Sequence, residues 1–120
     1  IDPFNITNYN RSIEELEEFL LFVCLVAGKP AVRTANNLEK LLNIEKNNKS
    51  PFEKISYYIT NNKLREYLER IGFGQYNKIE KCLNQLISSN LDLRTCTFEQ
   101  LEKIHGIGSK SSRFFILHSR

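Results

Sequence analysis

The sequence has no apolar run longer than the nine residues from Phe19 to Ala27. A membrane-spanning helix needs about 20, so this run reads as a buried helix and not as an anchor. Cysteine is scarce: Cys24, Cys82 and Cys96 make an odd count, without the spacing of a disulfide framework or a zinc site. Cys24 and Cys82 fall within apolar repeats, and all three read as small buried hydrophobes in a reducing, intracellular compartment. Only two histidines occur, His105 and His118. Neither has a Cys or carboxylate set around it, so no metal site is expected. Ser/His/Asp groupings, P-loops and paired-carboxylate signatures are also missing. No secretory signal is visible, no internal repeat recurs, and no segment alternates with period two long enough to make a strand.

What is present suits one small globular domain. The 120 residues are 41% hydrophobic and 26% charged, ordinary proportions that argue against disorder. A chain of this length builds one core and is too short for two independent domains. Residues 1–11 read as a tag scar and N-terminal tail, and the domain as residues 12–120. The formal net charge is only +3 but is unevenly placed. Residues 1–62 carry seven basic and eight acidic side chains, whereas residues 63–120 carry ten and six. A basic half of this kind is a nucleic-acid footprint only if a binding motif lies within it.

Helix punctuation recurs along the chain. Ser12-Ile13-Glu14-Glu15 has the pattern of a capping box, followed by an apolar stripe at Ile13, Leu16, Phe19, Leu20 and Val23 that widens all round the helix, as a central core helix requires. Gly28 ends it. Pro30 suits the first turn of a second helix bearing Val32, Ala35, Leu38, Leu41 and Leu42. After a polar loop over 43–50, Ser50-Pro51-Phe52-Glu53 opens a third helix with Ile55 and Tyr58 inward. Asn61 or Asn62 is expected to cap a fourth, which Gly72 stops. A fifth carries Ile79, Cys82, Leu83, Leu86 and Ile87 on one face. Thr97-Phe98-Glu99-Gln100 is a further capping box opening a short sixth helix, and a last helix from about Ser109 holds Phe114, Phe115 and Leu117. The expected fold is all-α, a bundle of six or seven short helices.

The chemistry-bearing segment is Leu101 to Lys110, where two short helices meet through Gly106-Ile107-Gly108. Gly106 and Gly108 are expected to take positive φ and to leave no Cβ in the way. Successive amides of the turn, with Ser109 and Lys110 at the next helix start, then point at one anion, and the helix dipole adds positive potential. Ile107 should anchor the turn inward, and Lys110 and Arg113, one turn apart, reinforce the cradle. Such contacts position a duplex without reading its sequence. The segment lies in the basic half.

This segment resembles the helix-hairpin-helix motif of the DNA glycosylase superfamily that includes endonuclease III. Upstream, Phe19–Ala27 with the helix of Ala35, Leu38 and Leu41 looks like that family's first two barrel helices. Leu68-Glu69-Arg70-Ile71-Gly72-Phe73 with Tyr76-Asn77-Lys78 is similar to its Gly-Phe/Leu-Tyr stretch. The resemblance covers roughly residues 12–120. Phe22–Lys29, Leu93-Arg94-Thr95 and Ser111–Arg120 also look like a phage branch described as amino acid:DNA transferases or thymine pyrophosphorylases of base hypermodification.

The resemblance implies binding of double-stranded DNA by Gly106, Ile107, Gly108, Ser109, Lys110 and Arg113, with Lys29 in the loop after the first barrel helix touching phosphate. It implies Lys110 as a catalytic nucleophile toward the sugar C1′. No cofactor is implied beyond a monovalent cation held by hairpin carbonyls when DNA is bound. The family's partner aspartate would stand beyond Arg120, so residues 12–120 are expected to lack the family's C-terminal part. Three readings stay open: a base glycosylase or lyase, a phage-type hypermodification enzyme, and a non-catalytic DNA-binding module, in a bacterial cytoplasm or a phage-infected host.

Overall fold

The computed structural model describes residues 1–120, which form seven α-helices and no strand. They are α1 (Ile13–Val26), α2 (Ala31–Leu42), α3 (Pro51–Thr60), α4 (Leu64–Ile71), α5 (Tyr76–Ser89), α6 (Phe98–Glu102) and α7 (Ser109–Ser119). Three starts follow directly from sequence. Ser12 with Glu15, Ser50 with Glu53, and Thr97 with Gln100 each close a reciprocal capping box, an arrangement in which the cap residue alone contributes about 1 kcal/mol. Pro51 sits where its missing N–H costs nothing. Gly72 ends α4 in a left-handed conformation, φ 96°, as a stop glycine should.

Helix α1 is the hub. It packs against α2, α3, α5 and α7, while α2 to α5 also pack among themselves and α6 packs on α7. The sequence foretells this: Leu16, Phe19, Leu20, Leu21, Phe22, Val23 and Leu25 of α1 are all buried. The α6–α7 pair is therefore fastened to the rest of the bundle through α1. Phe19 joins them, its ring lying 6.0 Å from Phe114 and 5.4 Å from Phe115. The Cα radius of gyration, 13.2 Å, is close to the roughly 13.6 Å expected of one compact domain of this length. No helix is long and apolar enough to cross a membrane.

Several expectations need correction. Neither Asn61 nor Asn62 caps α4: Lys63 holds that position with no side-chain cap, Asn61 closes α3, and Asn62 turns the chain at φ 56°. Pro30 precedes the first turn of α2 as its cap residue. Leu117, Val32 and Ile13 are exposed, because each lies on the outer side of a helix whose inner side is already filled.

Residues 1–11 touch the bundle. Arg11 is buried, stacks 4.0 Å over the Phe19 ring, and donates to the carbonyls of Ile6, Asn8 and His118. Thr7 bonds the His118 ring at 2.7 Å, and the Asn8 amide donates to the His118 carbonyl at 3.0 Å. The segment is thus strapped to the C-terminal turn of α7.

Candidate functional site

The turn between α6 and α7 is built from below. Leu101, Ile104 and Ile107 are buried and pull the segment onto the core, as the inward expectation for Ile107 requires. Gly106 has φ 89° and exposes its backbone. A Cβ placed there would lie 3.7 Å from both the Cβ and the Sγ of Cys82, so α5 is the floor of the turn. From the side, the His105 amide donates to Gln85 Oε1 at 2.6 Å.

Gly108 differs from the sequence expectation. Its φ is −97° and ψ −170°, extended backbone open to any residue, and a Cβ there meets nothing within 4 Å. Only Gly106 needs positive φ. The reason is local: Gly106 makes the reversal, whereas Gly108 occupies the N-cap of α7, a position that is ordinarily extended.

Helix α7 starts with no side-chain cap. The amides of Gly108, Ser109, Lys110 and Ser111 have no backbone acceptor, and the first intrahelical bond is Ser112 N–H to the Gly108 carbonyl at 3.0 Å. Gly106, Gly108, Ser109 and Lys110 are exposed. The result is a row of free donors at the positive end of a helix dipole, with Lys110 the second residue of that helix. Arg113 is exposed one turn on, its guanidinium 5.4 Å over the Phe98 ring, which ties it to α6.

Lys110 also lines a hollow of about 230 Å³ with Val23, Val26, Ala27, Gly28 and Phe114. The end of α1 and the start of α7 therefore share one apolar concavity, and no carboxylate lines it. Lys29 lies next door and not in this hollow. Its ammonium donates to the Gly74 carbonyl at 3.1 Å, and partial burial holds it below the ordinary lysine value. It lines a second hollow with Arg33, Thr34, Asn37 and the 72–74 turn. Of the residues singled out in the sequence, the fold brings Gly106 to Lys110 and Arg113 onto one end of α7 and sets Lys29 apart in the neighbouring loop.

The other groups weighed in the sequence have settled roles. His118 is held by Thr7 and stacks on Phe114 at 4.6 Å. Cys82 and Cys96 are buried and Cys24 is partly so; all three are free thiols. Tyr58 is core, its hydroxyl donating to the Leu41 carbonyl at 2.9 Å. No three His, Cys, Asp or Glu side chains come together. Gln85 and Arg11 went unnoticed in the sequence. Each acts through a contact with a distant segment, which no local motif marks. No family model, curated protein or solved structure matches the chain.

Proposed function

We propose that this chain binds the sugar-phosphate backbone of double-stranded DNA through the Gly106–Lys110 hairpin, in the manner of the helix-hairpin-helix DNA glycosylase superfamily that its sequence resembles. The observation that carries the proposal is the uncapped, exposed start of α7, where four free amides stand beside Lys110. A phosphate satisfies those donors and meets the helix dipole in the same place. Gly106 makes the turn, Ile107 anchors it, and Arg113 adds charge one turn along. The contact carries no base preference, because only backbone donors and point charges take part.

The test is an amide-resolved NMR titration with a short duplex. Saturable shifts concentrated on Gly106 to Ser111 are expected. Shifts spread evenly over the basic surface, with the hairpin unmoved, would remove the hairpin as the site.

A second role for Lys110 is favoured by one observation: its side chain borders the apolar hollow at the end of α1. An amine there can attack the aldehyde carbon of an abasic sugar, releasing water and leaving an imine that borohydride reduces to a stable amine. Trapping on abasic duplex that disappears in Lys110→Ala supports this role. Trapping that survives in that variant assigns the adduct to another amine.

A further inference from the structure

A third concavity lies on the other flank of the hairpin, between the C-terminal half of α5 and α6. It is an open groove of about 600 Å³ to which Asn84, Gln85, Leu91, Gln100, Lys103 and Ile104 contribute, and none of its lining residues is acidic. We infer that this groove binds a phosphate ester.

The inference follows from how the amide side chains are fixed. Gln85 Oε1 accepts the His105 N–H at 2.6 Å, and Gln100 Oε1 accepts the Thr97 N–H at 2.9 Å. A backbone N–H can face only the oxygen of a side-chain amide, so neither glutamine can flip. Both NH2 groups are turned away from the backbone they serve, and neither has a protein acceptor. Lys103 is exposed and takes part in none of the four ion pairs of the protein. Gln85 and Gln100, each with a free NH2, and the unpaired Lys103 line a single groove that no carboxylate lines. That set suits an oxyanion with several acceptor oxygens.

The remainder of the groove points to what the oxyanion carries. Asn84 is fixed the opposite way, its NH2 donating to the Glu80 carbonyl at 2.8 Å, which leaves its oxygen to accept from a hydroxyl. Leu91 and Ile104 supply apolar wall. The groove is also far larger than one phosphate needs. A phosphorylated sugar, either free or as one residue of a nucleic-acid chain, presents all three features. Gln85 touches both places: its oxygen holds the residue before Gly106, and the residue also lines the groove. The site stands independently of the hairpin proposal.

The experiment follows the side-chain NH2 signals of Gln85 and Gln100 by NMR, together with the backbone amides of Gly108 to Lys110. Ribose 5-phosphate, inorganic phosphate and a short DNA duplex are added separately. Saturable movement of both glutamine signals with ribose 5-phosphate is expected, weaker with inorganic phosphate. Lys103→Ala should weaken it about tenfold, as loss of one charge-assisted bond requires. Lys103 is exposed, so the variant leaves the fold intact. Movement with the sugar phosphate and not with the duplex identifies a small ligand. Movement with the duplex that ribose 5-phosphate reverses identifies a nucleic-acid residue. With the duplex as probe, groove signals that respond while the hairpin amides stay fixed keep this site and remove the hairpin one. Glutamine signals unmoved by all three probes, or a Lys103→Ala response equal to wild type, overturn the inference.

Discussion

The two glycines of the hairpin should behave oppositely when replaced by alanine. Gly106 sits at φ 89°. An L-residue there costs about 1–2 kcal/mol, and a Cβ 3.7 Å from Cys82 adds ordinary contact without a clash. For a domain of this length each 1 kcal/mol is worth roughly 4 °C in Tm. Gly106→Ala should therefore lower Tm by about 4–8 °C. Gly108 is extended and open, so alanine there restricts only the unfolded chain and gains about 0.4–1 kcal/mol. Its Tm should stay level or rise slightly.

Binding should reverse the order of damage at Gly108. Its Cβ would stand at the free amides of α7, where a phosphate must come close. Losing one charge-assisted backbone bond costs about 1.5–3 kcal/mol, or roughly 10- to 100-fold in affinity. Thermal unfolding by circular dichroism and duplex binding by fluorescence anisotropy give both numbers on the same samples. Equal destabilisation by the two variants would refute the backbone geometry. A Gly108→Ala protein that binds as tightly as wild type would refute the cradle.

Other expectations concern what holds the site in place. Arg11→Met leaves the carbonyls of Ile6, Asn8 and His118 without their donor and should cost about 2–4 kcal/mol by urea unfolding; a loss under about 0.5 kcal/mol would show that residues 1–11 are not part of the folded unit. Phe115→Ala empties the α1–α7 contact beside Phe19 and should cost about 3–5 kcal/mol, measured the same way; a smaller loss would mean that the hairpin helices are held by something other than this packing. Glu45 accepts the Tyr67 hydroxyl at 2.7 Å and pairs with Lys63 at 3.5 Å. The Tyr67 bond first, and Lys63 further down, hold its carboxyl below the ordinary value. The unfolded chain therefore binds its proton first on acidification, and the stabilisation is complete above the unfolded value of about 4.3 and fades as pH falls through the lower folded one. Tyr67→Phe should shrink that acid-side loss, and an unchanged stability-versus-pH curve below about pH 5 would contradict the assignment.

Most of the fold could be read locally. Ser12, Ser50 and Thr97 with their acidic or amide partners three residues on marked three helix starts, Gly72 marked a stop, and the all-round apolar face of α1 marked the hub. Each signal is complete within a few residues, so no tertiary knowledge is needed. Errors arose where a distant contact decides. Asn61 could cap α4 or close α3, and the order of turns selected the latter. Leu117 follows a helical period, but Phe114 and Phe115 already fill the face that meets α1. At the hairpin, sequence located the turn, the inward Ile107 and the cationic flank. It could not separate the backbone states of Gly106 and Gly108, because glycine permits both. Gln85 was illegible for the same reason as Arg11: its partner, the His105 amide, is 20 residues away.

The proposed contact with a phosphate backbone is tested most directly by the salt dependence of duplex affinity. Each phosphate neutralised adds about 0.9 to the magnitude of the slope of log K against log salt. Wild type should show a clear negative slope, and Lys110→Ala with Arg113→Ala should reduce it by about 1–2. A slope unchanged by that double substitution would contradict the proposed DNA contact at the hairpin.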